Sequence, residues 1–83
     1  MEHYLFVARS VTHAQHMAKT LSDAGVFSKI RRAGTELTER GCGYTLELAP
    51  RSAARAAEVC RAAGAAPVKV LRVSGGVRQE VSL

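Results

Sequence analysis

Four short apolar segments alternate with two longer helical patterns along this chain. The segments that predict strands are residues 4–8, 26–32, 42–48 and 68–73. The third shows the clearest alternation, because Tyr44, Leu46 and Leu48 are separated by the more polar Thr45 and Glu47. Successive side chains of a strand point to opposite faces, so this segment predicts a strand with one buried face.

Each helical pattern begins near polar residues and ends at a glycine. Thr12 and Gln15 have the spacing of a capping box, which predicts the start of the first helix, and Gly25 predicts its end. Ser52 is the predicted N-cap of the second helix, and Gly64 follows it. The predicted buried stripe of the first helix comprises Ala14, Met17, Ala18 and Leu21, and that of the second comprises Ala56, Val59, Cys60 and Ala63.

The order of these elements predicts an α+β fold, a ferredoxin-like βαββαβ sandwich. Two interleaved strand-helix-strand units with right-handed crossovers give a four-stranded antiparallel sheet in the order 4-1-3-2, with both helices on one face. At 83 residues the chain is long enough for one domain. We expect a single domain over residues 1–83, with its core at about 3–73 and a tail, 74–83, that frays.

Composition restricts the class of protein further. The chain is 47% hydrophobic and 23% charged, which excludes a disordered tail, a collagen-like chain and a disulfide scaffold. No apolar run approaches the roughly 20 residues of a membrane span, and the first residues lack the pattern of a signal peptide. We therefore expect a cytoplasmic protein that does not bind a membrane. Its net charge of +5 favours anionic partners.

The predicted topology makes Cys42 the main candidate for chemistry. The third strand would lie antiparallel beside the first, so its start would lie near Arg9, Ser10 and the N-terminus of the first helix. A helix N-terminus carries about half a positive charge and N–H groups without helical partners. Such surroundings lower the pKa of a thiol and favour the nucleophilic thiolate.

Neighbouring residues complete this candidate site. Gly41 and Gly43 leave the Cys42 sulfur uncrowded, and Arg40 adds positive charge two positions away. His13, in the first turn of the helix, is a candidate base for the thiol proton, and the alternative is a solvated surface histidine.

Other kinds of site find little support in the sequence. Cys60 lies on the apolar stripe of the second helix and is expected to be a buried structural thiol. There is no CxxC motif and no Cys/His cluster with zinc spacing, so we expect no metal and no cofactor. Without paired carboxylates or a phosphate loop, a carrier or accessory protein is expected rather than a stand-alone enzyme.

The chain also resembles a known family. The residues that carry the resemblance are Ser10-Val11-Thr12-His13-Ala14, Glu36-Leu37-Thr38 and Gly41-Cys42-Gly43-Tyr44. Over about residues 3–73 they are similar to the small selenium/sulfur carrier-protein-like domains. That family usually has a proline-rich turn with an arginine before the loop glutamate, where this chain has Ala33-Gly34-Thr35.

The resemblance implies that Cys42 holds sulfur or selenium as a persulfide or selenopersulfide. Ser10, Thr12, Arg9 and Arg40 would then surround the bound group together with the two glycines. A cysteine desulfurase or a rhodanese-like enzyme would load the carrier, and an acceptor enzyme would unload it.

Two other functions fit the same fold. Leu5-Phe6-Val7 and Arg40-Gly41-Cys42-Gly43-Tyr44 resemble strand signatures of the RNA-recognition motif. Cys42 replaces a stacking aromatic there, and Tyr44 shares its face with two leucines, so we do not expect nucleic-acid binding. The other function is non-catalytic protein binding or homodimerisation through the open sheet face, where Tyr4 and Phe6 are expected to lie.

Overall fold

The structure, a computed structural model, describes residues 2–32 and 44–83. Within these ranges the elements are β1 (His3–Val7), α1 (Val11–Asp23), β2 (Lys29–Arg32), β3 (Tyr44–Leu48), α2 (Pro50–Ala62), β4 (Lys69–Ser74) and β5 (Val77–Val81). The strands form one antiparallel sheet in the order β2-β3-β1-β4-β5. The α+β class predicted from the sequence is confirmed.

The predicted four-stranded sheet is wrong, because the described sheet has a fifth strand at its edge. Gly75 and Gly76 have φ angles of 57° and 80° and form a two-residue turn after β4. Turns with two positive φ values match the twist of paired strands, so the chain returns as β5 beside β4. Part of the tail that was expected to fray is therefore paired, and the strand order differs from the predicted one by this addition.

The main core lies between the sheet and both helices and is the helix-side core of the protein. It contains Phe6, Leu46, Leu48 and Val70 from the strands and Met17, Leu21, Ala56, Ala57 and Cys60 from the helices. One cluster joins the two helices to the same strand positions, which places α1 and α2 on one face of the sheet. The expectation that Tyr4 and Phe6 lie on the open face is wrong, because Phe6 is fully buried in this core and Tyr4 packs against it.

The opposite face of the sheet carries a smaller apolar cluster. Leu5, Val7 and Leu71 form it, and the half-buried Val73 packs against them. Leu5 is only 7% exposed and Val7 only 1%, so these two offer little apolar surface to a partner. Charged groups lie on neighbouring positions of this face, and Glu47 opposite Leu5 is one of them.

The helix ends match the predicted stops better than the predicted starts. Gly25 and Gly64 follow the two helices with φ angles of 77° and 71°, a conformation that favours glycine. α2, however, begins at Pro50 after an N-cap at Ala49, so the N-cap predicted at Ser52 is wrong. Proline is well suited to this first helical position, because it needs no N–H there and its φ is already helical.

Candidate functional site

Ser10 starts α1 and holds its first turn. Its backbone is extended, with φ −158° and ψ 171°, and its Oγ accepts a hydrogen bond from the His13 backbone N–H at 3.0 Å. The Ser10 carbonyl oxygen accepts from the Ala14 N–H at 2.9 Å. The N-cap predicted at Thr12 is wrong, since Thr12 lies exposed inside the first turn. The helix begins two residues earlier because Ser10 offers the same hydroxyl acceptor directly after β1.

Replacing Ser10 with alanine should lower the free energy of unfolding by about 1 kcal/mol, since the cap hydrogen bond to His13 is lost. Thr12→Ala is the matched control and should change it by less than about 0.5 kcal/mol, because Thr12 is exposed. Urea denaturation followed by circular dichroism measures both. Equal effects of the two substitutions would contradict the assignment of Ser10 as the cap.

His13 lies between the start of α1 and the segment that leads into β4. Its side chain is buried, with 7% of the residue exposed. Nδ1 accepts a hydrogen bond from the Arg9 backbone N–H at 2.9 Å, and Nε2 lies 3.1 Å from the Ala66 carbonyl oxygen. Because Nδ1 accepts a hydrogen bond, the ring proton lies on Nε2, and the Nε2–H donates a hydrogen bond to the Ala66 carbonyl oxygen. The imidazole thus joins the start of α1 to Ala66, which lies 53 positions beyond His13 in the chain.

This bridge bears on the predicted role of His13 as a base. The Nδ1 lone pair already accepts the Arg9 N–H, and Nε2 holds a proton. His13 would have to release Arg9 before it could take a proton from a thiol. The base role stays a prediction, and the solvated surface histidine considered as its alternative is not what the structure shows.

The start of β3 lies beside the segment that leads into α1. The Ala8 N–H donates to the Tyr44 carbonyl oxygen at 3.0 Å, one step beyond the Val7 and Thr45 pair. Tyr44 is half-buried against the helix-side core. The other predicted site residues Arg40, Gly41, Cys42 and Gly43 lie outside the described residues, as do Glu36 and the rest of the loop motif.

Positive charge is concentrated around this end of the sheet. Arg9 is exposed between β1 and α1, and Arg32 pairs in register with Tyr44. The first turn of α1 contains no acidic residue, so no local carboxylate offsets the positive end of the helix dipole. Arg31 adds no net charge to this region, because it forms a 2.6 Å ion pair with Glu47 across β2 and β3. The described surroundings favour an anion at the N-terminus of α1.

Cys60 is a structural thiol, as expected from the sequence. It is fully buried on α2, and burial raises its pKa because the thiolate would lose its hydration. A neutral, enclosed thiol is a poor nucleophile. Cys60 is therefore a suitable internal control for chemistry at the other cysteine.

A surface cleft of about 290 Å³ opens beside the C-terminal half of α2, next to the start of β4 and the end of β5. Arg61, Val68, Lys69, Glu80 and Leu83 are among its lining residues, and Arg61 donates a 2.7 Å hydrogen bond to the Leu83 backbone oxygen. The described lining holds no cysteine or histidine.

The described ranges, 2–32 and 44–83, contain neither a metal-binding cluster nor a helix that could span a membrane. No group of three or more histidine, cysteine, aspartate or glutamate side chains there could hold a metal ion. Neither described helix is both long and apolar enough to cross a bilayer.

Comparisons with known proteins do not place the chain in a family. No protein-family model, curated protein or solved structure matches it. The resemblance to selenium/sulfur carrier-protein-like domains stays a prediction.

Proposed function

We propose that the protein is a small cytoplasmic carrier that holds sulfur or selenium on Cys42 and passes it to a partner enzyme. The observation that supports it best is the hydrogen bond between Ala8 and Tyr44, which brings the start of β3 beside the N-terminus of α1. Two peptide units span about 7 Å at most, so the proposal puts Cys42 within that reach of Tyr44.

The electrostatic part of the proposal rests on residues that the structure describes. Arg9 and Arg32 lie on either side of the Ala8–Tyr44 contact, and the first turn of α1 has no acid. A thiolate, a persulfide and a selenopersulfide are all anions, and each gains from a nearby helix N-terminus and arginines. Ser10 and Thr12 would border the bound group, with the Ser10 hydroxyl already engaged as the cap.

Loading would proceed by transfer of one sulfur atom from a cysteine of the donor to Cys42. The Cys42 thiolate attacks the terminal sulfur of a persulfide on a cysteine desulfurase or a rhodanese-like donor. A new S–S bond forms on Cys42, the S–S bond of the donor breaks, and the donor cysteine leaves as a thiolate. The step needs no oxidant, and the reverse exchange delivers the sulfur to a thiolate of the acceptor enzyme.

We further propose that the helices and strands form a ferredoxin-like sandwich, extended by β5 at one edge. The element order from β1 to β4 and the common face of α1 and α2 support it. The end of the central strand then leads into α1 beside Tyr44, the first described residue of β3.

The test is mass spectrometry of the intact protein after incubation with a cysteine desulfurase and free cysteine. We expect the wild type and Cys60→Ala to gain the mass of one sulfur atom and Cys42→Ser to gain none, because Cys60 is enclosed in the core. In parallel, the rate of Cys42 alkylation should rise with a midpoint below pH about 8.5, the value for a free thiol. Failure of the wild type to load from several donors would overturn the proposal.

The two alternatives fit the described structure less well. Phe6 and Tyr44 belong to the helix-side core and do not form a base-stacking platform on the open face. Dimerisation through the open face stays a prediction, and the low exposure of Leu5 and Val7 leaves it little apolar area to bury.

A further inference from the structure

β5 is an edge strand whose sequence is complementary to itself. It reads Val77-Arg78-Gln79-Glu80-Val81 and lies at the end of the described sheet beyond β4. We propose that two copies of this chain associate by antiparallel pairing of β5 with β5 about a two-fold axis at Gln79. The product is a closed dimer with one continuous sheet across both copies.

The hairpin decides which backbone groups face the edge. Residues that flank a two-residue turn form a hydrogen-bonded pair, and such pairs alternate along an antiparallel ladder. Ser74 and Val77 flank the turn, so Gln79 and Val81 also bond to β4. The N–H and C=O groups of Arg78 and Glu80 therefore point away from β4, in the direction of an added strand.

Three registers of two antiparallel β5 strands pair the outward-facing residues Arg78 and Glu80, and the charges of their side chains favour one of the three. Pairing of Arg78 with Arg78 of the second copy, or of Glu80 with Glu80, sets like charges opposite each other, which is unfavourable. The register centred on Gln79 instead places each Arg78 opposite Glu80 of the other copy. It also overlaps the full length of β5 and uses all four outward-facing residues of the two strands.

The same register buries apolar side chains on the other face of the strand. Val77 is 66% exposed in the single chain, although it lies in a regular strand. Val77 and Val81 share a face, since they are four positions apart, and Val81 packs against the helix-side core. Pairing about Gln79 puts Val77 of each copy opposite Val81 of the other.

β2, at the opposite edge of the sheet that residues 2–32 and 44–83 form, does not offer this complementarity. Its four residues are Lys29, Ile30, Arg31 and Arg32, and all are exposed. Antiparallel self-pairing would set basic side chains opposite one another, and basic residues are a known protection of sheet edges. Once two β5 strands have paired, each copy has only its basic β2 edge left. The assembly therefore stops at two copies.

The test is sedimentation equilibrium of the full chain up to about 1 mM, because a contact this small is expected to be weak. An ionic strength of about 0.15 M limits repulsion between the basic chains to roughly 8 Å. We expect a concentration-dependent mass that approaches two chains. Arg78→Glu and Glu80→Arg should each raise the dissociation constant about tenfold or more, since each sets two pairs of like charges opposite each other.

Two rescues distinguish this contact from general loss of folding. An equal mixture of Arg78→Glu and Glu80→Arg chains should form a heterodimer, and the double variant should dimerise like the wild type. Glu80→Pro removes an outward-facing N–H without touching the β4 ladder and should also dissociate the dimer. Circular dichroism verifies the fold of each variant. A single-chain mass for the wild type at every concentration, a dimer indifferent to these changes, or open-ended assembly would each overturn the proposal.

Discussion

Replacing Phe6 with alanine is expected to lower the free energy of unfolding by about 3–5 kcal/mol. Phe6 is fully buried on the central strand, on the face where both helices pack. Its removal loses the hydrophobic transfer energy of the ring and leaves a cavity that the surrounding core cannot fully close. Since small domains are stabilised by about 5–15 kcal/mol in total, a large share of the stability is lost. Urea denaturation followed by circular dichroism measures the change.

The second phenylalanine of the chain is a matched control. Phe27 follows α1 and is 82% exposed. Phe27→Ala should change the free energy of unfolding by less than about 0.5 kcal/mol, as is usual for surface positions. A small effect of Phe6→Ala, equal to that of Phe27→Ala, would show that Phe6 is not in the core.

Replacing His13 with alanine is expected to lower the free energy of unfolding by about 2–4 kcal/mol. The substitution removes the hydrogen bonds that the ring makes with the Arg9 N–H and the Ala66 carbonyl oxygen, and each such bond contributes about 0.5–1.5 kcal/mol. It also removes a buried ring from the junction between α1 and the segment that enters β4. Chemical denaturation at constant pH measures the loss.

Two variants separate the bridge from other effects at this helix. His16 is exposed on α1, so His16→Ala should change the stability by less than about 0.5 kcal/mol. The free energy of unfolding of His13→Asn should lie between those of the wild type and His13→Ala. The amide oxygen of asparagine can still accept a hydrogen bond from the Arg9 N–H, but the side chain is too short to reach Ala66 as well. If His13→Ala were as mild as His16→Ala, the bridge would contribute nothing to stability.

The helical period of the apolar positions predicts the buried stripe of α1 well and that of α2 only in part. Ala56 and Cys60 are buried as expected, but Ala63 is exposed. Ala14, Met17 and Leu21 were expected on the buried stripe of α1 and are buried there. The faces of β1 could not be predicted in this way. Phe6 and Val7 lie on opposite faces, but every residue from Leu5 onward in the strand is apolar and buried, so no alternation distinguishes the two sides.

β5 escaped prediction because it has no buried face of its own. Four of its five residues are exposed, and arginine, glutamine and glutamate occupy its centre. Its strand conformation depends on pairing with β4 through the turn at Gly75 and Gly76. The adjacent glycines were the available signal, since such a pair between two strand-like segments is typical of a tight hairpin.

Of the candidate site, the sequence could indicate the neighbourhood but not the contacts. The approach of the β3 start to Ala8 follows from the predicted antiparallel neighbours and is present. The hydrogen bond of the buried His13 ring to Ala66 joins residues that are remote in the chain, and no local sequence pattern predicts such a partner. Cys42 lies outside the described residues, and the loading experiment tests its reactivity directly.

The central position of β1 has a consequence for synthesis of the protein. Its two neighbours in the sheet, β3 and β4, both come much later in the chain. A nascent polypeptide that ends before Tyr44 therefore holds an apolar strand with neither ladder partner, and one side stays open until β4 emerges. The sheet can form around β1 only after β4 has been synthesised. Until then the apolar residues of β1 stay exposed and can bind other unfolded chains.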